Sequence, residues 1–113
     1  MSADEDLALA NLRRGALEYC LLALLDDREM YGLELAQRLG DLGLIAGEGT
    51  IYPLLSRLRR SGLVTSQLVI PDAGRSRRYY TLTAQGRASL ATFTRLWTPF
   101  ATNVTSLIEK EPR

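Results

Sequence analysis

The stretch "EGTIYPLLSRLRRSG", residues 48–62, decides the fold. At about 100° per residue, Ile51, Leu54, Leu55 and Leu58 fall on one face of a helix spanning about 49–60. Pro53, Ser56 and Arg60 point the opposite way, with Tyr52 on one flank and Thr50 and Arg57 on the other. The inner face is a core stripe. The outer face starts with small side chains and ends in arginines. Small residues let a helix N-terminus approach a partner closely, and its free N–H groups and partial positive charge suit phosphate. Proline costs little near a helix start, where its missing donor has no acceptor waiting. Arginine grips a guanine edge or a phosphate through two parallel hydrogen bonds. Taken alone, the stretch also describes an ordinary amphipathic helix with a solvated face.

Its neighbours narrow the reading. Downstream, "LVTSQLVI" (63–70) has the β-branched content of a strand, "PDAG" (71–74) is a turn, and "RRYYTL" (77–82) is a returning strand. Residues 83 to about 109 read as a last helix. Upstream, one helix is expected from about Leu7 to Leu25, apolar nearly all round in its second half. Such a helix needs burial on every side, which points to a partner chain. After the polar break "DDRE" (26–29), a second helix at 32–42 turns Leu33, Leu35, Ala36, Leu39 and Leu42 toward the core, and "GDLGLIAGEG" (40–49) is a glycine-punctuated connector. The expected fold is mainly α with a small β-hairpin. It is a winged helix-turn-helix over residues 1–82, followed by a C-terminal dimerisation helix and tail over 83–113. In that arrangement the third helix enters the major groove of DNA and the hairpin lies against the flanking backbone.

Charge supports a polyanionic partner. The chain carries a net +1, yet residues 56–80 hold six arginines against Asp72 alone, a local +5 that leaves −4 for the remainder. Three of those arginines, Arg75, Arg77 and Arg78, stand beside the predicted turn. A hairpin base of that kind contacts phosphate or the minor groove. Two basic elements gathered by one fold suit nucleic acid better than a uniformly solvated surface does.

Composition excludes much else. With 113 residues, 46% of them apolar and 24% charged, the chain is one ordinary globular domain. It has no histidine, which removes the usual general base and the commonest metal ligand, so neither cofactor nor metal is expected. Its single cysteine, Cys20, lies in an apolar run and reads as a small core residue. The run "LEYCLLALL" (17–25) is too short to span a bilayer, and the acidic N-terminus lacks the basic start of a secretory signal, so a reducing cytoplasm is the expected location. A small enzyme has no visible catalytic constellation here. The competing reading is a winged-helix module for protein–protein contact, its arginines meeting an acidic partner.

Three segments carry a family resemblance: "YGLEL" (31–35), "EGTIYPLLSRLRRSGLV" (48–64) and "GRSRRYYTLTAQGR" (74–87). In sequence and spacing they resemble the PadR family of bacterial transcriptional regulators over about residues 12–97. The single terminal helix is similar to that of the short-form subfamily. The resemblance implies a homodimeric repressor that binds a pseudo-palindromic operator in double-stranded DNA and leaves it when an effector binds. Two departures stand out. Gly47 occupies a position where the family usually has serine, which costs only a few tenths of a kcal/mol at a cap. Arg59 and Arg60 lie where an acidic residue is common nearby, which favours phosphate contact. The residues expected at DNA are Thr50, Tyr52, Pro53, Ser56, Arg57, Arg60, Arg75, Arg77 and Arg78.

In the last helix Leu90, Phe93, Trp97, Phe100, Val104 and Leu107 recur at alternating spacings of three and four, the seam of a helix packed on another helix. They are the expected dimer stripe. Related short-form regulators line a central pore with aromatics of this helix, so the resemblance makes Phe93, Trp97 and Phe100 candidates to stack on a planar hydrophobic effector. Pro99 removes a helical hydrogen bond and predicts a bend near Thr98. Five threonines between Thr92 and Thr105 lower helix propensity, so this helix is expected to depend on its partner.

Overall fold

Three helices close over a small sheet, and a long terminal helix leads away from it. The computed structural model describes residues 2–110. Its elements are α1 (Ala3–Arg13), α2 (Leu17–Asp27), β1 (Met30–Tyr31), α3 (Gly32–Asp41), a 3-10 turn (Glu48–Thr50), α4 (Ile51–Arg60), β2 (Val64–Val69), β3 (Arg77–Leu82) and α5 (Ala84–Ile108).

The helix expected over Leu7–Leu25 is two helices. Ser2 caps α1 by accepting from the Glu5 N–H at 3.1 Å, and Asp4, Glu5 and Asp6 sit in its first turn, where the helix dipole favours negative charge. Arg14 then turns extended, and Gly15 takes φ +87°, a conformation side chains of L-residues avoid. A basic last turn followed by glycine is a helix stop, and it overrides the apolar periodicity that runs through it. Nothing on α1 is buried.

α2 supplies Leu21, Leu22 and Leu25 to the core. Its other apolar flank, Tyr19, Cys20 and Leu24, is half-buried, and Tyr19 stacks on Phe93 of α5. The chain's own terminal helix therefore covers part of the surface that the sequence assigned to a partner. α3 buries Leu35, Ala36 and Leu39 but not two residues expected there: Leu33 is 38% exposed and Leu42 62%. Leu33 stands about 200° around the helix from Leu35, and Leu42 is the C-cap, at the very end of the helix. On α4 the expected inner face, Ile51, Leu54, Leu55 and Leu58, is fully inside.

β2 and β3 form the expected antiparallel hairpin, in register from Val64 opposite Leu82 to Val69 opposite Arg77. The sheet also has a third strand that was not expected. β1 pairs Met30 with Tyr80 and Tyr31 with Tyr79 on the free edge of β3, giving the order β1-β3-β2. Two residues are too few to show a period.

Thr83 caps α5 and ties it to the sheet. Its hydroxyl accepts from the Gly86 N–H at 2.9 Å and donates to the Gly62 carbonyl at 2.7 Å. The helix continues unbroken through Pro99. Its first half packs on α2 and β3, where Leu90 joins the core cluster. Beyond that it runs free, and the chain measures 67 × 34 × 21 Å. The radius of gyration, 16.6 Å, exceeds the roughly 13 Å of a compact chain this long because of that projecting helix. No helix among the described residues is long and apolar enough to cross a membrane.

Candidate nucleic-acid interface

The exposed ridge of α4 is presented by the residues that precede it. Gly47 leads into the 3-10 turn, and no side chain caps either the turn or α4. The first-turn N–H groups are therefore not taken by a local side chain. Thr50, Tyr52, Pro53, Arg57 and Arg60 are exposed and Ser56 half-buried, as expected from the wheel.

Tyr52 is fixed by a glycine twenty residues away. A β-carbon built on Gly32 would lie 2.8 Å from Tyr52 Cε1, so the ring rests on the bare start of α3. There it meets the wing. Tyr31, Tyr52, Tyr80, Arg75, Arg77 and Arg78 border one open concavity of about 400 Å³. The Arg77 guanidinium lies 4.4 Å over the Tyr31 ring, a cation–π contact that orients it, and Tyr31 packs edge-on against Tyr79 at 5.5 Å. Arg78 Nη1 donates to Ser66 Oγ at 2.9 Å, and Arg59 Nη1 donates to the same oxygen at 3.3 Å. One hydroxyl on β2 thus joins the end of α4 to β3. The wing arginines adjoin α4 through Tyr52 and through Arg59, although a whole strand and its turn separate them in the chain.

The other flank of α4 faces the α1–α2 elbow. Thr50, Pro53, Arg57 and Arg60 border a second hollow together with Arg13 and Arg14. Arg13 donates through Nε and Nη2 to the Gly43 carbonyl at 3.3 and 3.0 Å, pinning α1 to the connector. Arg57 pairs with Glu18 of α2 at 3.2 Å. Sequence reading missed Arg13, Arg14, Tyr31 and Ser66. The first two carried a usable signal, the helix stop at Gly15. The others became visible only once β1 and the hairpin register were known.

Three ionisations among the described residues are perturbed, that of Arg28 upward by its hydrogen bond to Glu34. Burial pushes the Cys20 thiol up, which keeps it protonated and inert. A hydrogen bond from Arg28 holds the Glu34 carboxyl below its usual range at the start of α3.

The six residues expected along the α5 seam divide into two sets. Leu90 and Phe93 pack within the chain, and rings continue outward from there: Tyr19 to Phe93 at 4.2 Å, Phe93 to Trp97 at 5.5 Å, Trp97 to Phe100 at 6.4 Å. Trp97, Phe100, Val104 and Leu107 are exposed, 47%, 63%, 40% and 69% respectively. A groove of about 660 Å³ runs between Trp97, Phe100 and Val104 and Asn11 and Leu12 of α1.

Three helices, a wing and a basic ridge define a winged helix-turn-helix protein. Residues 21–92 match the family described as the transcriptional regulator PadR-like family, and the chain belongs to it. It is 38% identical over 82 residues to the transcriptional regulator Rv3488 of Mycobacterium tuberculosis, covering 73% of this chain and 76% of that one. Its fold is similar to a PadR-like transcriptional regulator from Bacillus cereus (TM-score 0.79, 34% identity, 89% of this chain and 99% of that chain). It is also similar to Bacillus subtilis PadR in complex with operator DNA (TM-score 0.64, 29% identity, 70% of this chain and 46% of that chain). The single terminal helix is consistent with the short form of the family. The chain is a transcriptional regulator, not an enzyme.

Proposed function

We propose that two copies of this chain bind a pseudo-palindromic operator in double-stranded DNA and repress transcription there until a planar hydrophobic effector releases them. Thr50, Tyr52, Pro53, Ser56, Arg57 and Arg60 enter the major groove, and Arg75, Arg77 and Arg78 grip the backbone or the minor groove. The observation that carries this reading is the shared surface of α4 and the wing, joined through Ser66 and Tyr52. The Bacillus subtilis PadR–operator complex supports the same partner. Dimerisation rests on the α5 seam, whose Trp97, Phe100, Val104 and Leu107 stay 40–69% exposed within the chain. Symmetry then places the two recognition helices about 34 Å apart, one helical turn of DNA. Leu90 and Phe93 brace the seam, and Phe93, Trp97 and Phe100 offer ring faces to the effector. The protein works in the cytoplasm, with the DNA it controls.

A gel shift with the DNA upstream of its own gene, repeated across salt concentrations, tests the reading. A retarded complex whose affinity falls steeply with salt supports it. A chain that binds no duplex but captures acidic protein partners refutes it in favour of a protein–protein module. Sedimentation equilibrium checks the dimer, with a monomer at micromolar concentration as the refuting result.

A further inference from the structure

The hollow between α4 and the α1–α2 elbow is built differently from a phosphate track. Its floor is apolar, made by Leu17, Leu44, Ile45 and Leu54, and its volume, about 610 Å³, falls within the range of small-molecule sites. Its rim is cationic: Arg13, Arg14, Arg57 and Arg60 surround it against the one carboxylate of Glu18. Two of the four are already engaged, Arg13 by the Gly43 carbonyl and Arg57 by Glu18. The side chains of Arg14 and Arg60 make no hydrogen bond or ion pair among the described residues, the Arg14 backbone N–H being engaged by the Ala10 carbonyl. A DNA phosphate would use the rim and leave the floor wet. An apolar body with a single anionic head uses both.

We propose that this hollow is a binding site for an amphipathic organic carboxylate, whose head is held by Arg14 and Arg60 and whose tail lies on the apolar floor. The ligand would compete directly with DNA, because the wall it occupies carries Thr50, Pro53, Arg57 and Arg60. That consequence rests on the DNA reading given above; the binding itself does not. The site is separate from the α5 groove, with which it shares only Arg14 and Gly15. Guanidinium pairs favour the carboxylate over a neutral analogue of equal length through charge-assisted, bidentate hydrogen bonds.

The test uses the full chain, isotopically labelled, titrated with sodium octanoate and, in parallel, with octan-1-ol and inorganic phosphate. Expected are saturable backbone shifts at Leu44, Ile45, Ala46 and Leu54, with octanol and phosphate each at least about tenfold weaker. Arg14→Gln lowers octanoate affinity about tenfold. Ala46→Trp, an exposed connector position lining the hollow, abolishes binding by filling it while thermal unfolding stays in place. In a DNA titration of the wild type, the apparent Kd for DNA rises in proportion to octanoate. Shifts confined to Phe93–Thr105, equal binding of octanol, or no saturation at millimolar octanoate overturn the site. Binding at the hollow with DNA affinity unchanged overturns the competition. If the chain binds no DNA at all, the regulator reading fails while the shift map still decides the pocket.

Discussion

Gly86→Ala probes how α5 leaves the winged unit. A β-carbon at Gly86 would lie 2.1 Å from the Leu63 carbonyl oxygen and 2.7 Å from Leu82 Cδ1. Intrinsic propensity favours alanine in a helix by about 1 kcal/mol. The contact opposes it and is larger. The Leu63 carbonyl cannot retreat freely, since it accepts the Thr83 N–H at 3.1 Å, and Thr83 in turn caps α5 and holds Gly62. Overpacking costs about 1–3 kcal/mol, and disturbing the cap adds about 1 kcal/mol. With a strained hydrogen bond worth about 1 kcal/mol more, the net loss is about 2–4 kcal/mol. For a domain near this size the thermal midpoint should fall by at least about 8 °C. Gly40→Ala is the internal control: it is also helical, meets nothing within 4 Å, and should gain about 0.5–1 kcal/mol. Both are read by thermal and urea unfolding at one fixed chain concentration, because any dimer makes the midpoint concentration-dependent. A Gly86→Ala chain that unfolds at or above the wild-type temperature would refute the close approach.

Gly32→Ala should separate binding from folding. The added methyl pushes the half-exposed Tyr52 ring aside, so DNA affinity should drop several-fold while the unfolding midpoint barely moves; an unchanged gel shift counts against Tyr52 at the interface. Arg77→Ala with Arg78→Ala should weaken binding about equally for all DNA sequences and flatten the salt slope by about 2, one for each phosphate left without its arginine. An unchanged slope removes the wing from the interface. The Arg28–Glu34 pair gives an acid-side signature. The carboxyl titrates lower in the folded chain than in the unfolded one, so its stabilisation is complete above the unfolded value, about 4.3, and disappears as pH falls through the folded value. The effect is small, the pair being exposed. Midpoints measured from pH 3 to 7 should show the gap between wild type and Glu34→Gln closing only at the acid end; a constant gap contradicts the pairing.

What could be read from the chain beforehand was whatever repeats. Ile51, Leu54, Leu55 and Leu58 declare the inner face of α4, and all four are buried. The strand at 77–82 was placed to the residue, because "RRYYTL" is bounded by turn residues on one side and a helix cap on the other. Period fails where an element is short or a stop signal competes. β1 has two residues, and the stop at Gly15 was hidden ahead of a run of leucines. The site was legible as a set of arginines but not as a geometry. No spacing rule brings Arg14 and Arg60 to one hollow, or sets Arg59 and Arg78 on one serine, since these meetings depend on how separate helices and strands pack together. Likewise, the heptad counted six equivalent positions on α5. Tertiary packing divided them, because α2 presents Tyr19 to Phe93 but leaves Trp97 half-exposed.

That division gives α2 a particular place in the proposed switch. Its consecutive residues Glu18 and Tyr19 face different partners: Glu18 holds Arg57 on the recognition helix, and Tyr19 stacks on Phe93. Phe93 begins the ring ladder that ends at Phe100 on the uncovered seam. A planar ligand that inserts among Phe93, Trp97 and Phe100 must therefore displace or tighten a ring that α2 leans on. Adjacent helical positions move together, because the backbone joining them is rigid. A shift of Tyr19 carries Glu18 with it and changes how far Arg57 is held from the groove. Exposed ion pairs are weak, so this link cannot alone release a bound duplex. In the proposed dimer it would bias Arg57 in both copies at once, and a twofold operator would count that bias twice.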